Sequence, residues 1–167
     1  MRGAPIEFAA TTRDAFLSPD GVYRWWLRRY WSTAPLLAIV GLNPSTADAT
    51  KDDPTIRRCV SFARAWGHGG IEMLNLYAFR STDPRGLLTA PDPVGPGNDD
   101  CLDIKTKGRR VLCAWGAGGG NRARVVTNNL RALGRELVCL GLTKEGHPRH
   151  PLYVRGDTQP MPFGRAR

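Results

Sequence analysis

Asn43 closes an apolar run, Leu36-Leu37-Ala38-Ile39-Val40-Gly41-Leu42, and opens a small polar loop, Pro44-Ser45-Thr46. An amide in that position can orient water or hold a ligand, because it carries both a donor and an acceptor. It can equally satisfy its own loop backbone. Asn75 interrupts the otherwise apolar Met73–Leu76. An unpaired buried amide costs about 1–3 kcal/mol, so Asn75 needs a partner. That partner is either a ligand edge, such as that of a nucleobase, or a neighbouring loop. His150 lies in Gly141–Tyr153, which gathers Lys144, His147, Arg149 and Tyr153 between prolines. Rigid, basic, aromatic loops of this kind suit phosphate contact and insertion into a base stack. Taken singly, each histidine is more often a hydrogen-bonded surface residue than a catalyst. No Ser–His–Asp order and no metal-type histidine spacing stands out.

The elements that must position these residues follow from hydrophobic periodicity. The run 36–42 reads as a strand buried on both faces and stopped by Pro44, which cannot continue a ladder. Asp53-Pro54 predicts a helix start, with Ile56, Cys59, Val60, Ala63 and Trp66 facing inward and Arg57, Arg58 and Arg64 outward. Residues 71–77, 110–115 and 136–141 read as further central strands. Helices are expected from Asn98 or Asp99 toward Lys107, and over 121–134 with Val125, Val126, Leu130 and Leu133 inward. Phe16–Tyr23 carries a Pro19-Asp20-Gly21 turn between aromatic arms, a hairpin signal. Its second arm reads as a strand with one basic face, Arg24, Trp26 and Arg28, or as a short helix over Trp25–Trp31. Alternating strands and helices imply a single α/β domain over 1–167. The expected architecture is three layers, α/β/α, around a mainly parallel four-stranded sheet, with the hairpin added. In such sheets ligands sit outside the carboxyl ends of the strands.

Composition narrows the class of partner. The chain has 167 residues, enough to bury about two-thirds of its unfolded surface. Its net charge of +9 comes almost wholly from arginine, which binds phosphate bidentately and stacks on bases. Nucleic acid is the expected partner. No apolar run approaches the length of a membrane span, and the first residues, with Arg2, Pro5 and Glu7, hold no signal-peptide core. A cytoplasmic monomer without membrane contact is expected. The four cysteines contain no C-x-x-C pair, and Gly116-x-Gly118-x-Gly120 misses the dinucleotide fingerprint because residue 121 is asparagine. No metal or cofactor is expected.

Two resemblances arise. The stretches Leu42-Asn43-Pro44-Ser45-Thr46-Ala47-Asp48, Asn75-Leu76-Tyr77-Ala78-Phe79-Arg80 and Leu142-Thr143-Lys144-x-Gly146-x-Pro148-x-His150-Pro151-Leu152-Tyr153 resemble an uncharacterised bacterial and phage domain family. More loosely, the order of motifs is similar to the uracil-DNA glycosylase superfamily. Gly41-Leu42-Asn43-Pro44-Ser45 resembles its first motif, whose asparagine positions the hydrolytic water. Asn75 resembles the strand asparagine that reads a flipped base. His150-Pro151-Leu152 resembles the second motif, with His147-Pro148 competing for the role.

That resemblance implies hydrolysis of the N-glycosidic bond of a damaged or modified base flipped out of DNA. Asn43 and His150 would be catalytic. Gly41, Leu42, Pro44, Ser45, Asn75, Tyr77 and His147 would form the base pocket, with Tyr77 or Phe79 stacking. Arg80, Lys144 and Arg149 would meet phosphates, and Leu152 or Tyr153 would fill the vacated stack in duplex or single-stranded DNA. Asp48, Asp52 and Asp53 are the nearest carboxylates to the first motif. The rival readings are a non-catalytic reader of modified nucleic acid and a hydrolase of free nucleotides or nucleosides.

Overall fold

A Pro-Asp-Gly turn joins β1 (Glu7–Leu17) to β2 (Arg24–Ser32) as an antiparallel hairpin. Asp20 closes the turn by accepting from Ser18 Oγ at 2.7 Å and Val22 N at 3.0 Å, and Gly21 takes φ 73°. A computed structural model describes residues 3–164, so Arg2 lies outside the described residues. The remaining elements are β3 (Leu36–Gly41), α1 (Pro54–Ala65), β4 (Gly70–Asn75), α2 (Asn98–Thr106), β5 (Arg110–Cys113), α3 (Gly120–Ala132), β6 (Glu136–Cys139) and β7 (Met161–Pro162).

The strands form one seven-stranded sheet in the order β1-β2-β4-β3-β5-β6-β7. The expected four-stranded, mainly parallel sheet is therefore corrected to a larger mixed one. β4, β3, β5 and β6 pair in parallel, while β1–β2, β2–β4 and β6–β7 pair antiparallel. The hairpin is not an appendage: β2 extends the sheet beside β4 and covers its edge. The segment after Leu142, for which the sequence predicts no strand, returns β7 to the far edge against β6.

The helices lie on both faces. Ile56, Cys59, Phe62 and Ala63 of α1 pack with Leu37, Ile39, Ile71 and Met73. Leu102 of α2 and Ala123, Val126 and Leu130 of α3 pack on the opposite face against Val40, Leu74 and Cys113. Val125 and Leu133, expected inward, are exposed, since Ala123 and Thr127 complete the buried stripe of α3. Gly97, not Asn98 or Asp99, occupies the cap position of α2. Asn98 instead buries its amide, donating to the carbonyls of Asn75 and Leu76, each at 3.1 Å.

β2 is a strand, but its faces differ from the simple alternation. Phe16 pairs with Trp26 and Leu17 with Arg24, so Trp25 is the extra residue of a bulge. One extra residue reverses the alternation beyond it. Arg24 thereby joins Leu27 and Arg29 on the inward face, and both arginines are buried. The one basic face predicted for this strand is broken up, since Arg24 turns inward and Arg28 pairs with Glu72. No helix among the described residues is long and apolar enough to cross a membrane.

Candidate functional site

β3 lies between β4 and β5, and the chain leaves β3 toward α1 on one face and β5 toward α3 on the other. Strand order therefore reverses at β3, and the diverging loops leave a crevice at the carboxyl edge. A cleft of about 260 Å³ opens there. Asn43, Asn75 and His150 all line it, together with Arg24, Trp115 and Tyr153. Its size lies just under the range of drug-sized ligand pockets and suits a single ring system.

Gly41 and Asn75 are register partners at the ends of β3 and β4. A Cβ on Gly41 would fall 2.7 Å from Met73 Cε and 3.0 Å from Asn75 Nδ2, so only glycine lets the Asn75 amide lie across the strand end. Asn75 Oδ1 accepts from Arg24 Nη2 at 3.4 Å. Its Nδ2 has no protein acceptor among the described residues, leaving a donor for the cleft.

Asn43 is held in the opposite sense. Its Nδ2 donates to the carbonyls of Pro44 at 3.0 Å and Ser81 at 2.9 Å. Two carbonyl partners can be met only by the amide nitrogen, which fixes the amide orientation. The free group is then Oδ1, an acceptor. Asn43 and Asn75 thus bring an acceptor and a donor to one cleft.

His150 lies well beyond β6, yet it reaches the same edge. Residues 142–148 form a closed excursion: Leu142 bridges Pro148, and Thr143 N donates to His147 O at 2.8 Å. Gly116 N then holds Pro148 O at 2.9 Å, tying this loop to the glycine loop after β5. Arg58 of α1 donates to the carbonyls of Pro151 and Val154 and anchors the 3-10 turn Pro151–Tyr153. His150 caps that turn, its Nδ1 accepting from Leu152 N at 3.2 Å. The proton of the neutral ring therefore sits on Nε2. Burial holds the His150 pKa below its ordinary 6.5, against a smaller opposing pull from Asp53, so the ring is neutral at pH 7.

The other expected residues divide. Gly41, Leu42, Ser45 and Tyr153 line the cleft. Pro44 is buried behind it, where its carbonyl also accepts from Ser81 N at 2.9 Å. Tyr77 packs toward the α2 and α3 face, and Phe79 meets Tyr23 edge-on at 6.2 Å. His147 sits in the 142–148 excursion, away from the cleft, so of the two histidines only His150 lines it. Lys144 and Arg149 are exposed, and Arg149 Nε donates to Leu142 O at 3.2 Å. Leu152 lines a shallow groove beside Arg57 and Arg58. Arg80 ties down the first motif instead of standing free, donating to the carbonyls of Ser45 at 3.2 Å and Gly21 at 3.3 Å.

Of the three carboxylates, only Asp53 lines the cleft, and its Oδ1 accepts from Ile56 N at 2.8 Å as the cap of α1. Asp52 pairs with Arg13 and Arg29, and Asp48 closes its own turn. Among the described residues no group of three or more His, Cys, Asp or Glu side chains gathers as a metal site. Arg24, Trp115, Ser81 and Thr82 were not legible as site residues, since a bulge turns Arg24 inward and the others sit in loops without a motif.

The fold and site define an α/β protein with a cleft of about 260 Å³ at the switch point of its sheet. The chain belongs to the family described as protein of unknown function (DUF1643), whose model matches residues 24–152. That span runs from Arg24 to just past His150 and holds every residue lining the cleft except Tyr153. No curated protein and no solved structure matches the chain.

Proposed function

We propose that this protein is a glycosylase-like hydrolase that removes a damaged or modified base from DNA. The observation carrying this reading is that Asn43, Asn75 and His150, 107 positions apart at the extremes (150 − 43), line one base-sized cleft. The motif order resembles the uracil-DNA glycosylase superfamily, and kinship of fold with that superfamily is part of the proposal.

The chemistry follows from what each group offers. The Asn75 Nδ2 donor meets a carbonyl on the edge of the flipped base. The Asn43 Oδ1 acceptor orients a water toward C1′ of the sugar. As the C1′–N bond breaks, its electron pair leaves with the base, and C1′ takes the hydroxyl of the water. The remaining proton ends on the base, giving a free base and an abasic sugar. His150 Nε2–H donates to the charge that develops on the departing base. Asp53 is committed as a cap, so general-base assistance of about 10²–10⁴-fold is missing and turnover is slow. The exposed Leu152 and Tyr153 beside His150 suit insertion into the vacated stack.

A hydrolase of free nucleosides is the second reading. It is favoured by Arg80, which is spent on backbone carbonyls instead of standing ready for phosphate. The test is an abasic-site assay on single- and double-stranded DNA carrying uracil, mismatched thymine, hypoxanthine and phage-type modified bases. Cleavage that falls about 10²–10³-fold in Asn43→Ala supports the glycosylase. Activity on nucleosides with no DNA cleavage supports the second reading. Salt-sensitive DNA binding without any hydrolysis sinks both and leaves a reader of modified bases.

A further inference from the structure

Arg24 and Arg29 are withdrawn from water, at 2% and 1% exposure. Burying a charge costs several kcal/mol unless an opposite charge offsets it. Arg29 has that charge in Asp52, at 2.9 Å, and the half-buried Arg28, Lys105 and Arg109 share Glu72. Arg24 has no carboxylate within ion-pair distance among the described residues. Its Nη1 donates to Ala47 O at 2.9 Å and its Nη2 to Asn75 Oδ1 at 3.4 Å, while Nε has no acceptor. Yet Arg24 is among the residues that line the cleft.

The charges that face Arg24 do not neutralise it. Asp53 and Asp48 favour its charged form, whereas Arg80 and Arg29 oppose it. Burial is the largest influence and lowers its pKa to about 10, so it remains a cation at neutral pH. His150 is neutral there and cannot supply or cancel charge. The cleft is therefore lined by a buried cation that no carboxylate among the described residues pairs with.

We propose that Arg24 is the counter-charge for an anionic ligand, a nucleobase in its deprotonated lactam form. This rests on the base-processing reading and names the species the cleft favours: the base as it leaves, not the base as it enters. Three features agree with it. Trp115, Tyr153 and His150 line the cleft with aromatic side chains, and the His150 and Tyr153 ring centroids lie 5.5 Å apart. Arg24 holds Asn75 Oδ1, so Asn75 faces the ligand as a donor and suits a deprotonated ring. A charge-assisted contact is also stronger in a water-poor site than a neutral one. Arg24 acts as a positioning and charge-compensating residue, through Asn75 and through its field.

The test compares binding of free uracil and 5-nitrouracil at pH 7.5 by titration calorimetry. Uracil is neutral there, whereas the nitro base is ionised. Wild-type protein is expected to favour the anion, and Arg24→Gln to reduce that preference about 10–100-fold. Arg24→Lys should retain part of it. A merely structural Arg24 would weaken both ligands alike and leave their ratio unchanged. Should Arg24→Gln fail to fold, Asn75→Asp places a carboxylate on the guanidinium and must abolish the preference with the cation still present. Equal binding of the two bases, binding of neither, or a preference that survives both Arg24→Gln and Asn75→Asp overturns the proposal. DNA cleavage without an anion preference leaves the glycosylase reading standing alone. An Arg24-dependent preference without cleavage does the reverse.

Discussion

Asn43 shows how a single side chain is made directional. With Nδ2 held by two carbonyls, only Oδ1 is free, so Asn43→Asp should be tolerated poorly: a carboxylate cannot donate to Pro44 O or Ser81 O. Gly41→Ala offers a sharper probe. The added methyl meets Met73 Cε and Asn75 Nδ2, and overpacking of this kind costs about 1–3 kcal/mol. We expect a lower midpoint in denaturant and, because Asn75 must move, a loss of base binding at least as large in relative terms. Wild-type binding by Gly41→Ala would show that Asn75 does not read the ligand. At this scale the sequence was informative where a residue type and its loop agree, as at Asn43, Asn75 and His150. It put Arg24 on the wrong face, because inward and outward positions in a strand are told apart only by parity, and the bulge at Trp25 inverts it.

The elements carry their own tests. α1 begins at the cleft because Asp53 accepts from Ile56 N and Pro54 fills the first helical position, as the Asp-Pro pair predicts. Asp53→Ala should remove about 1 kcal/mol of stability, lowering Tm by roughly 2–4 °C for a chain of this size. β2, β4 and α2 are joined through Glu72, a buried carboxylate between Arg28, Lys105 and Arg109. Glu72→Gln leaves three half-buried cations without their counter-charge and should destabilise the fold by about 3–5 kcal/mol, measured by denaturant unfolding. Replacement of all four residues by apolar ones should cost much less. Element boundaries were largely visible in the sequence, since apolar period and turn residues coincide. The short β7 was not, because two residues carry no period and depend on β6 as a template.

At the scale of the whole molecule, charge and pH decide behaviour. Burial lowers the pKa of both His68 and His150 from 6.5. A depressed histidine contributes stability above its unfolded pKa, and that contribution is lost as pH falls through the folded value. Burial alone would raise the pKa of Glu72, but hydrogen bonds from Arg28 and Arg109 hold it below 4.5, so its contribution is lost later in acidification. Unfolding free energy should therefore decline in two stages, below about pH 6.5 and again in the acid carboxylate range. His150→Gln should diminish the first stage and leave the second. On the proposed function, the net charge of +9 predicts DNA binding that weakens steeply with salt, with a slope reporting the number of phosphates engaged; salt-independent binding would count against it.

The sequence by itself determined the strands that enclose the core, the capped start of α1, the hairpin turn and two polar residues of the cleft, Asn43 and Asn75. Those features depend on local period, turn chemistry and the cost of an unpaired buried amide, all of which are written in neighbouring residues. Only the tertiary structure decided that β2 extends the sheet, that His150 and not His147 lines the cleft with Asn43 and Asn75, and that Arg24 is buried beside Asn75 without a carboxylate partner among the described residues. These depend on pairing between strands far apart in the chain and on one bulge. Contacts of that kind have no signature until the chain has closed upon itself.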